Sequence, residues 1–332
     1  MTTAQEPRSA QGPAPEPEPP TPPTRHARDS AASPTEARNP RTRQIDELDT
    51  TEILRLINSE DQGVPAAVGS TLATLSVAVD LAVDALREEG RVHYFGAGSS
   101  GRIGFMDAAE LRPTFDAPDD WFCAHQAGGT QALLRAVEAA EDDAAAGETE
   151  ALDCVRPGDV AVGLSASGRT PYVLGALRGA RSRGAKAVLV TANPRAGDAG
   201  VDVFVGVDTG PEVIAGSTRM KAATAQKLVL NAFSTAVMIR LGRVYSNLMV
   251  SMVATNEKLR NRMVSILVEA TGLNERDCRA ALRASDGELK TALVALLGNT
   301  GIADARRVLR TSHGLVRDAL RRLTTTPEAH AS

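Results

Sequence analysis

The chain has few cysteines, no long apolar run and no excess of basic residues. Its three cysteines, Cys123, Cys154 and Cys278, lie far apart in the 332-residue sequence and form no C-x-x-C pair. This spacing argues against a disulfide framework and against a thiolate metal site. We therefore expect a reduced, cytoplasmic protein.

Membrane and nucleic-acid binding are also disfavoured. No apolar run approaches the ~20 residues of a membrane helix, and the N-terminus lacks the apolar segment of a secretion signal. The formal net charge is -4, from 37 basic and 41 acidic residues. No overall positive field therefore attracts nucleic acid or an anionic membrane, and any anion site must be local.

Composition and pattern divide the chain into four predicted parts. Residues 1–43 contain ten of the 18 prolines and almost no aliphatic side chains, which predicts a disordered tail; a Pro-rich ligand for a partner domain is the alternative. Residues 44–80 read as N-terminal helices. Residues 81–245 form the predicted ligand-binding domain, and residues 246–325 a C-terminal helical module.

The ligand-binding domain is predicted to be α/β, with a doubly wound, parallel, five-stranded sheet. Short apolar runs at residues 91–95, 121–125, 159–164, 187–191 and 201–207 are the strand candidates, and helical patterns separate the first four. Ligands of open parallel sheets bind at the carboxyl ends of the strands. The loops after Phe95, His125 and Leu164 are therefore the places to look for chemistry.

The first of these loops contains three glycines in a G-x-G-x-x-G spacing. In "FGAGSSGRIG" (95–104) they are Gly96, Gly98 and Gly101. A dinucleotide fold also needs an acidic residue at the end of its second strand, but that strand ends "CAHQAGG". A phosphate cradle at a helix N-terminus therefore fits better than a nicotinamide site.

Hydroxyl side chains cluster in two loops of this predicted edge. Ser99 and Ser100 belong to the glycine loop, and "SASGRT" after the third strand adds Ser165, Ser167 and Thr170. Helix capping needs only one hydroxyl per helix. Two such loops at neighbouring strand ends therefore favour one small phosphorylated ligand over capping alone.

Two glutamates are candidate proton-transfer groups. Glu110 is predicted to lie in the last turn of a helix that Pro113 ends at or before Arg112, where negative partial charge disfavours an ionised carboxylate. Glu141 is predicted to lie late in another helix, beside Asp142 and Asp143, where like charges crowd. A solvated acidic helix end is the alternative for each.

Long motifs carry a resemblance to a known family. "GAGSSGR" and "SASGRTPYV" resemble the sugar-isomerase (SIS) domain, whose sheet is flavodoxin-like. "GSSGRIGFMDAAELRPTF", "AGGTQALLRAVEAAEDD", "GSTRMKAATAQKLVLN" and "NLMVSMVATNEKL" narrow it to the N-acetylmuramic acid 6-phosphate etherases. The resemblance runs from about Gln44 to about Leu323.

The resemblance implies a reaction and assigns its residues. The expected substrate is a sugar phosphate with a D-lactyl ether at C3, which is cleaved by elimination and hydration in amino-sugar catabolism and cell-wall recycling. Glu110 would donate a proton to the departing lactate, and Glu141 would be the base at C2. The expected substrate and phosphate ligands in the two loops are Ser99, Ser100, Gly101, Arg102, Ser165, Ser167, Gly168 and Thr170.

A third segment, "PEVIAGSTRMK", precedes a long apolar helical pattern. Glu212, Ser217, Arg219 and Lys221 are either ligands of the sugar phosphate or partners in ion pairs that hold the helix start. The helical pattern from Thr224 to Leu241 offers a surface to bury, and domains of the resembled type usually share their sites between subunits. We expect a homodimer.

Neither a metal nor a redox cofactor is expected, because both steps are proton transfers. His93 and His125 lie in predicted strands, with no metal-ligand spacing between them. Two other functions remain open: a non-catalytic sugar-phosphate sensor of the glucokinase-regulatory type, and an aldose-ketose isomerase on the same domain.

Overall fold

The computed structural model describes residues 33–137, 139–197, 199–252 and 257–325. Its central sheet has five parallel strands: β1 (Val92–Gly96), β2 (Phe122–Gln126), β3 (Val160–Leu164), β4 (Lys186–Thr191) and β5 (Val203–Gly206). The strand order is β2-β1-β3-β4-β5, which is the flavodoxin-like order. The predicted doubly wound, five-stranded sheet is confirmed.

Helices cover both faces of this sheet. In chain order they are α1 (Thr50–Asp61), α2 (Val64–Gly69), α3 (Leu72–Arg87), α4 (Gly98–Phe115), α5 (Gln131–Leu134), α6 (Ala144–Cys154), α7 (Pro171–Ser182) and α8 (Lys221–Arg240). α3, α4 and α8 share an apolar core with one face, and α6 and α7 share another core with the opposite face. Strands enclosed in this way read as continuous apolar runs, which is why the sequence indicated them.

The N-terminal boundary differs from the prediction. Residues 33–43 form two 3-10 turns, Pro34–Glu36 and Pro40–Thr42, and Thr35 and Thr42 are buried. The Thr42 hydroxyl donates to the carbonyl of Val213, and the Thr35 carbonyl accepts from Gly216 N–H. The expectation of disorder is wrong for residues 33–43, because polar side chains attach this segment without an aliphatic core; residues 1–32 lie outside the described range.

α8 is the apolar helix predicted from the sequence, and it lies inside the molecule. Val229, Leu230, Phe233 and Val237 are at most 2% exposed and belong to the core shared with α3 and α4. Its apolar circumference is therefore explained by burial within one chain.

The C-terminal part is helical around a core of its own. A short hairpin of β6 (Val244–Tyr245) and β7 (Leu248–Met249) leads to α9 (Glu257–Thr271), α10 (Glu275–Ala284), α11 (Leu289–Leu297), α12 (Ile302–Thr311) and α13 (Val316–Thr325). Their buried side chains form a separate cluster that includes Leu267 and Leu293. The predicted helical content is confirmed, while the domain limits at residues 80 and 245 stay predictions.

No single helix in the described ranges has the length and apolar character to cross a membrane. One bent pair, Thr50–Gly69 with Leu72–Arg87 at 61°, meets those two criteria jointly.

A buried carboxylate ties α4 to its neighbours. Asp107 is 7% exposed and accepts hydrogen bonds from the Tyr94 hydroxyl of β1 (2.9 Å) and the Ser234 hydroxyl of α8 (3.0 Å). Burial raises the pKa of Asp107 to about 6 although both hydrogen bonds lower it. The carboxyl group therefore takes up its proton more readily in the folded chain than in the unfolded chain.

This shift predicts a pH-dependent cost in stability. The folded-state pKa is raised, so the stabilising contribution of Asp107 is present below about pH 4 and is lost as pH rises through about 6. Asp107→Asn keeps an acceptor for Tyr94 and supplies a donor for Ser234. We expect it to raise the free energy of unfolding by about 1–3 kcal/mol at pH 7.5 and to change it little at pH 4.

Urea unfolding at several pH values checks this prediction. Ser234→Ala is the control, because it removes a hydrogen bond and leaves the ionisable group in place. A stability difference between wild type and Asp107→Asn that is constant from pH 4 to pH 7.5 would contradict it.

Candidate functional site

The glycine loop joins β1 to α4 through a very close backbone contact. A Cβ atom on Gly96 would lie 2.6 Å from the Gly101 Cα, and Gly98 has a φ of +52°. Only glycines allow the strand end and the first helical turn to approach in this way. The N-terminus of α4 therefore opens directly at the carboxyl end of the sheet.

The first turn of α4 offers polar groups that the chain does not use. The N-cap residue is Ala97, which has no side chain to cap the helix. Ser99 and Ser100 are half-buried, and no hydrogen bond joins either hydroxyl to a described residue. First-turn N–H groups and free hydroxyls are suited to hold an anion.

Arg102 follows in the same helix, but its guanidinium contacts the end of α5 rather than the serine hydroxyls. Its guanidinium donates to the carbonyl oxygens of Ala132 (2.8 Å), Leu133 (3.1 Å) and Arg135 (3.3 Å). These carbonyls lie at the end of α5, so Arg102 fixes that segment beside α4. The structure does not direct this predicted phosphate ligand at the serines.

The serine loop after β3 is closed by its own hydroxyls. Ser165 is buried, and its Oγ lies 2.7 Å from the Thr170 Oγ1 and 3.4 Å from the Ser167 Oγ. Thr170 is the N-cap residue of α7, yet its side chain makes no capping hydrogen bond. The Ser167 and Ser165 hydroxyls accept from the N–H groups of Arg169 (3.1 Å) and Thr170 (3.4 Å) just before the helix.

Two residues at and just after the end of β4 support this loop, and neither was among the predicted site residues. Asn193, which is fully buried, donates from Nδ2 to the Ser167 carbonyl at 3.0 Å. Thr191 donates from its hydroxyl to the Ala166 carbonyl at 3.1 Å. Their only sequence signal is their position at the end of a buried strand, in "VTANP".

Gln226 of α8 lies beside both loops, and sequence reasoning did not identify it. Its Nε2 donates to the Ser100 carbonyl at 2.8 Å, and its side chain lines a narrow cleft with Ser165. Since β1 and β3 are adjacent, the glycine and serine loops lie side by side. The structure thus brings these two predicted sets of hydroxyls to one edge of the sheet.

Glu110 lies on α4 but away from this edge. α4 is continuous past Pro113 to Phe115, so the prediction that the helix ends at or before Arg112 is wrong. At the true end of α4, Arg243 donates to the Asp116 carbonyl at 2.8 Å. Glu110 is exposed and ten residues from Ser100, or ~15 Å along the helix axis at ~1.5 Å per residue.

Glu141 lies in a different local structure from the predicted one. α5 ends at Leu134, and Glu141 belongs to a 3-10 turn, Ala140–Asp142, directly before α6. The expected position late in a helix is therefore wrong; the N-cap Asp143, which accepts from Ala146 N–H, starts a new helix there. Glu141 is exposed and forms no hydrogen bond or ion pair with a described residue.

The segment before α8 uses its charged residues for structure. Glu212 is fully buried and accepts from the N–H groups of Lys221 and Ala222, both at 2.9 Å. The Lys221 ammonium lies 2.9 Å from the Glu60 Oε2 of α1. For Glu212 and Lys221 the structure favours the ion-pair and helix-start alternative, while Ser217 stays half-buried at the end of the same loop.

Comparison with known proteins gives one domain match and many full-length relatives. Residues 74–181 match the model described as the glucokinase regulatory protein N-terminal SIS domain. An N-acetylmuramic acid 6-phosphate etherase from Thermobifida fusca is 62% identical over 266 residues, covering 80% of this chain and 87% of that protein. One from Pectobacterium atrosepticum is 48% identical over 288 residues, covering 86% and 95%.

Among solved structures, phosphoheptose isomerase from Neisseria gonorrhoeae is similar over 57% of this chain and 99% of its own. The sequence identity is 19% and the TM-score 0.45.

The serine loop yields a prediction about backbone space. Gly168 has a φ of +70°, and a Cβ there would lie 2.5 Å from the Ala196 Cβ; Gly210 has a φ of +64° and open space around it. Both Gly→Ala variants force an alanine into a left-handed backbone conformation, which destabilises the folded state. Only Gly168→Ala also adds a steric clash. We expect Gly168→Ala to lower the free energy of unfolding by about 1–3 kcal/mol more than Gly210→Ala.

Urea denaturation of the two variants measures this difference. Equal losses of stability would show that the serine loop can shift to accept a methyl group, against the tight packing described above.

Proposed function

Since the chain belongs to the N-acetylmuramic acid 6-phosphate etherase family, we propose that it cleaves the D-lactyl ether of N-acetylmuramic acid 6-phosphate. The products are N-acetylglucosamine 6-phosphate and D-lactate, and the enzyme is a carbon–oxygen lyase of amino-sugar catabolism and cell-wall recycling. The observation that carries the proposal is the 62% identity to the Thermobifida fusca relative across 87% of its length.

The proposed phosphate site is the shared edge of the glycine and serine loops. Ser99, Ser100 and the first turn of α4 supply free hydroxyl and N–H donors, and Ser165, Ser167 and Thr170 line the neighbouring loop. Gln226 fixes the Ser100 carbonyl of the glycine loop from α8. The anion is thus bound by neutral donors, with Arg102 and Lys221 engaged elsewhere.

The proposed chemistry is two proton transfers around a carbon–oxygen bond. With the ring open, the C1 aldehyde acidifies the C2 proton, which the Glu141 carboxylate removes. The C3–O bond breaks and the leaving oxygen takes a proton from Glu110, which releases D-lactate. Water then adds to C3 and a proton returns to C2.

The position of Glu110 bears on how the site is assembled. Along one continuous helix, ~15 Å separates it from Ser100, which exceeds the distance from the phosphate group to C3 within one hexose. Glu110 therefore cannot serve a sugar phosphate held by the loop of its own chain. We propose that a second copy of the chain supplies it, so that the functional unit is a homodimer.

The surface around Glu110 supports this arrangement. Met106 lies one helical turn before it on the same face of α4 and is 46% exposed; Leu134, at the end of the neighbouring α5, is 83% exposed. Large apolar side chains exposed on these two neighbouring helices are typical of an interface between proteins. A partner that covers them would bring its own loops near Glu110.

Isotope incorporation tests the chemistry. Turnover of N-acetylmuramic acid 6-phosphate in heavy water should place deuterium at C2 of the product, and Glu141→Gln should lose both this exchange and lactate release. A sensor would release no lactate, and an isomerase would give a ketose. Normal turnover by the Glu110→Gln, Glu141→Gln double variant would sink the assignment.

Mixed dimers test the shared site. Glu110→Gln and Glu141→Gln are each expected to be inactive alone. After the two are unfolded and refolded together, half of the dimers are mixed and each mixed dimer has one intact site of two. We expect about a quarter of wild-type lactate release.

The matched control mixes Glu110→Gln with the double variant, which leaves no intact site in any dimer. If both glutamates acted within one chain, the two mixtures would be equally inactive, and the shared-site proposal would fail while the etherase proposal stood.

A further inference from the structure

Two histidines and a cysteine converge beneath the sheet, outside the proposed substrate site. His93 of β1 pairs with Cys123 of β2, and His125 lies two residues further along β2, on the same face of the sheet. Both rings therefore lie on the face that α6 covers. Cys154 is the last residue of α6. The Nδ1 of His93 and the Nε2 of His125 are 3.1 Å apart, and the Cys154 Sγ lies 4.0 Å and 3.7 Å from them.

The outer nitrogens of both rings face carboxylates. The Nε2 of His93 is 3.1 Å from Asp159, and the Nδ1 of His125 is 3.0 Å from Glu150. A carboxylate only accepts hydrogen bonds, so each ring presents its N–H outward. In the neutral rings the two inner nitrogens then both carry lone pairs directed at each other, and a bound cation would relieve this repulsion.

The position of the thiol indicates which cation this is. A proton on one ring would also relieve the repulsion, but the Cys154 sulfur, within 4.0 Å of both inner nitrogens, supplies the third soft ligand atom that a metal ion uses. Tetrahedral zinc, with bonds of ~2.0–2.1 Å to nitrogen and ~2.3 Å to sulfur, separates its ligands by ~3.3 Å for two nitrogens and ~3.6 Å for nitrogen and sulfur. The observed separations are within about half an ångström of these values.

The outer carboxylates complete a recognised pattern. Metal-bound histidines usually donate their second N–H to a carboxylate, which fixes the tautomer and the ring orientation. Both histidines have such a partner here, and each partner is itself held: Asp159 by Arg91 (3.2 Å) and Glu150 by the Tyr172 hydroxyl (2.6 Å). The ring orientations are therefore built into the fold.

We propose that His93, His125 and Cys154 form a binding site for zinc or a similar transition-metal ion. The ligands are the two inner nitrogens and the thiolate sulfur, and the thiol proton leaves to solvent on binding. The ion would link β1, β2 and the end of α6. Since α6 begins directly after the turn that contains Glu141, it would also fix the helix that follows this glutamate.

The spacing of these residues along the sequence gives no sign of such a site. His93 and His125 are 32 residues apart and Cys154 is 29 residues further on. Only the pairing of β1 with β2, and the return of α6 across them, brings the three together.

Cobalt(II) is the probe for this site, because its thiolate complexes absorb in the near ultraviolet. The chelator-treated full-length chain should bind one equivalent, show the thiolate-to-cobalt band, and lose that band when zinc is added. Cys154→Ser should abolish the band, and His125→Gln should weaken cobalt binding by about tenfold or more. Cys278→Ser changes a buried thiol of the C-terminal core and should bind as wild type.

Thermal melting with one equivalent of zinc is the second measurement. Wild type and Cys278→Ser should gain in Tm, and Cys154→Ser, if folded by circular dichroism, should not. His125 is partly exposed, so His125→Gln provides a second test if Cys154→Ser does not fold. No cobalt band in wild type, or equal binding by Cys154→Ser and Cys278→Ser, would overturn the proposal.

Discussion

The arrangement of this molecule depends on the unbroken course of helix α4. Its first turn is pressed against the end of β1 by the contact of Gly96 with Gly101, and its middle is fixed by Asp107 between Tyr94 and Ser234. A helix held at both places cannot bend Glu110 back to its own N-terminus. The first turn of α4, where we propose that the phosphate binds, and Glu110 near its other end therefore lie at different places on the surface.

Two cationic side chains that were candidate ligands are engaged in contacts within the fold. Arg102 and Lys221, the cations that sequence reasoning assigned to the ligand, are engaged by α5 carbonyls and by Glu60. What faces the strand ends instead is a set of hydroxyls and helix N–H groups, which carry only partial charge. In the proposed function, these neutral donors would bind the phosphate group of the sugar.

The features predictable from sequence were those set by local pattern. Buried strands, the two hydroxyl-rich loops and their position at neighbouring strand ends follow from apolar runs and turn residues. The errors came where local rules did not hold: α4 runs past Pro113 to Phe115, and Asp143 caps a new helix directly after the 3-10 turn that contains Glu141. Asn193, Gln226 and the His93–His125 pair contact partners remote in sequence, which no local pattern encodes.

The packed segment at residues 33–43 affects where this chain can be shortened. A truncation chosen from composition would remove everything before Gln44, and with it the Asn39 amide that donates to Glu60 at 2.8 Å and the Thr42 hydroxyl on Val213. The Glu60–Lys221 pair would then face solvent at the start of α8. Truncations and fusion junctions should therefore lie upstream of Ser33, because residues 33–43 pack against the folded chain although their composition is Pro-rich.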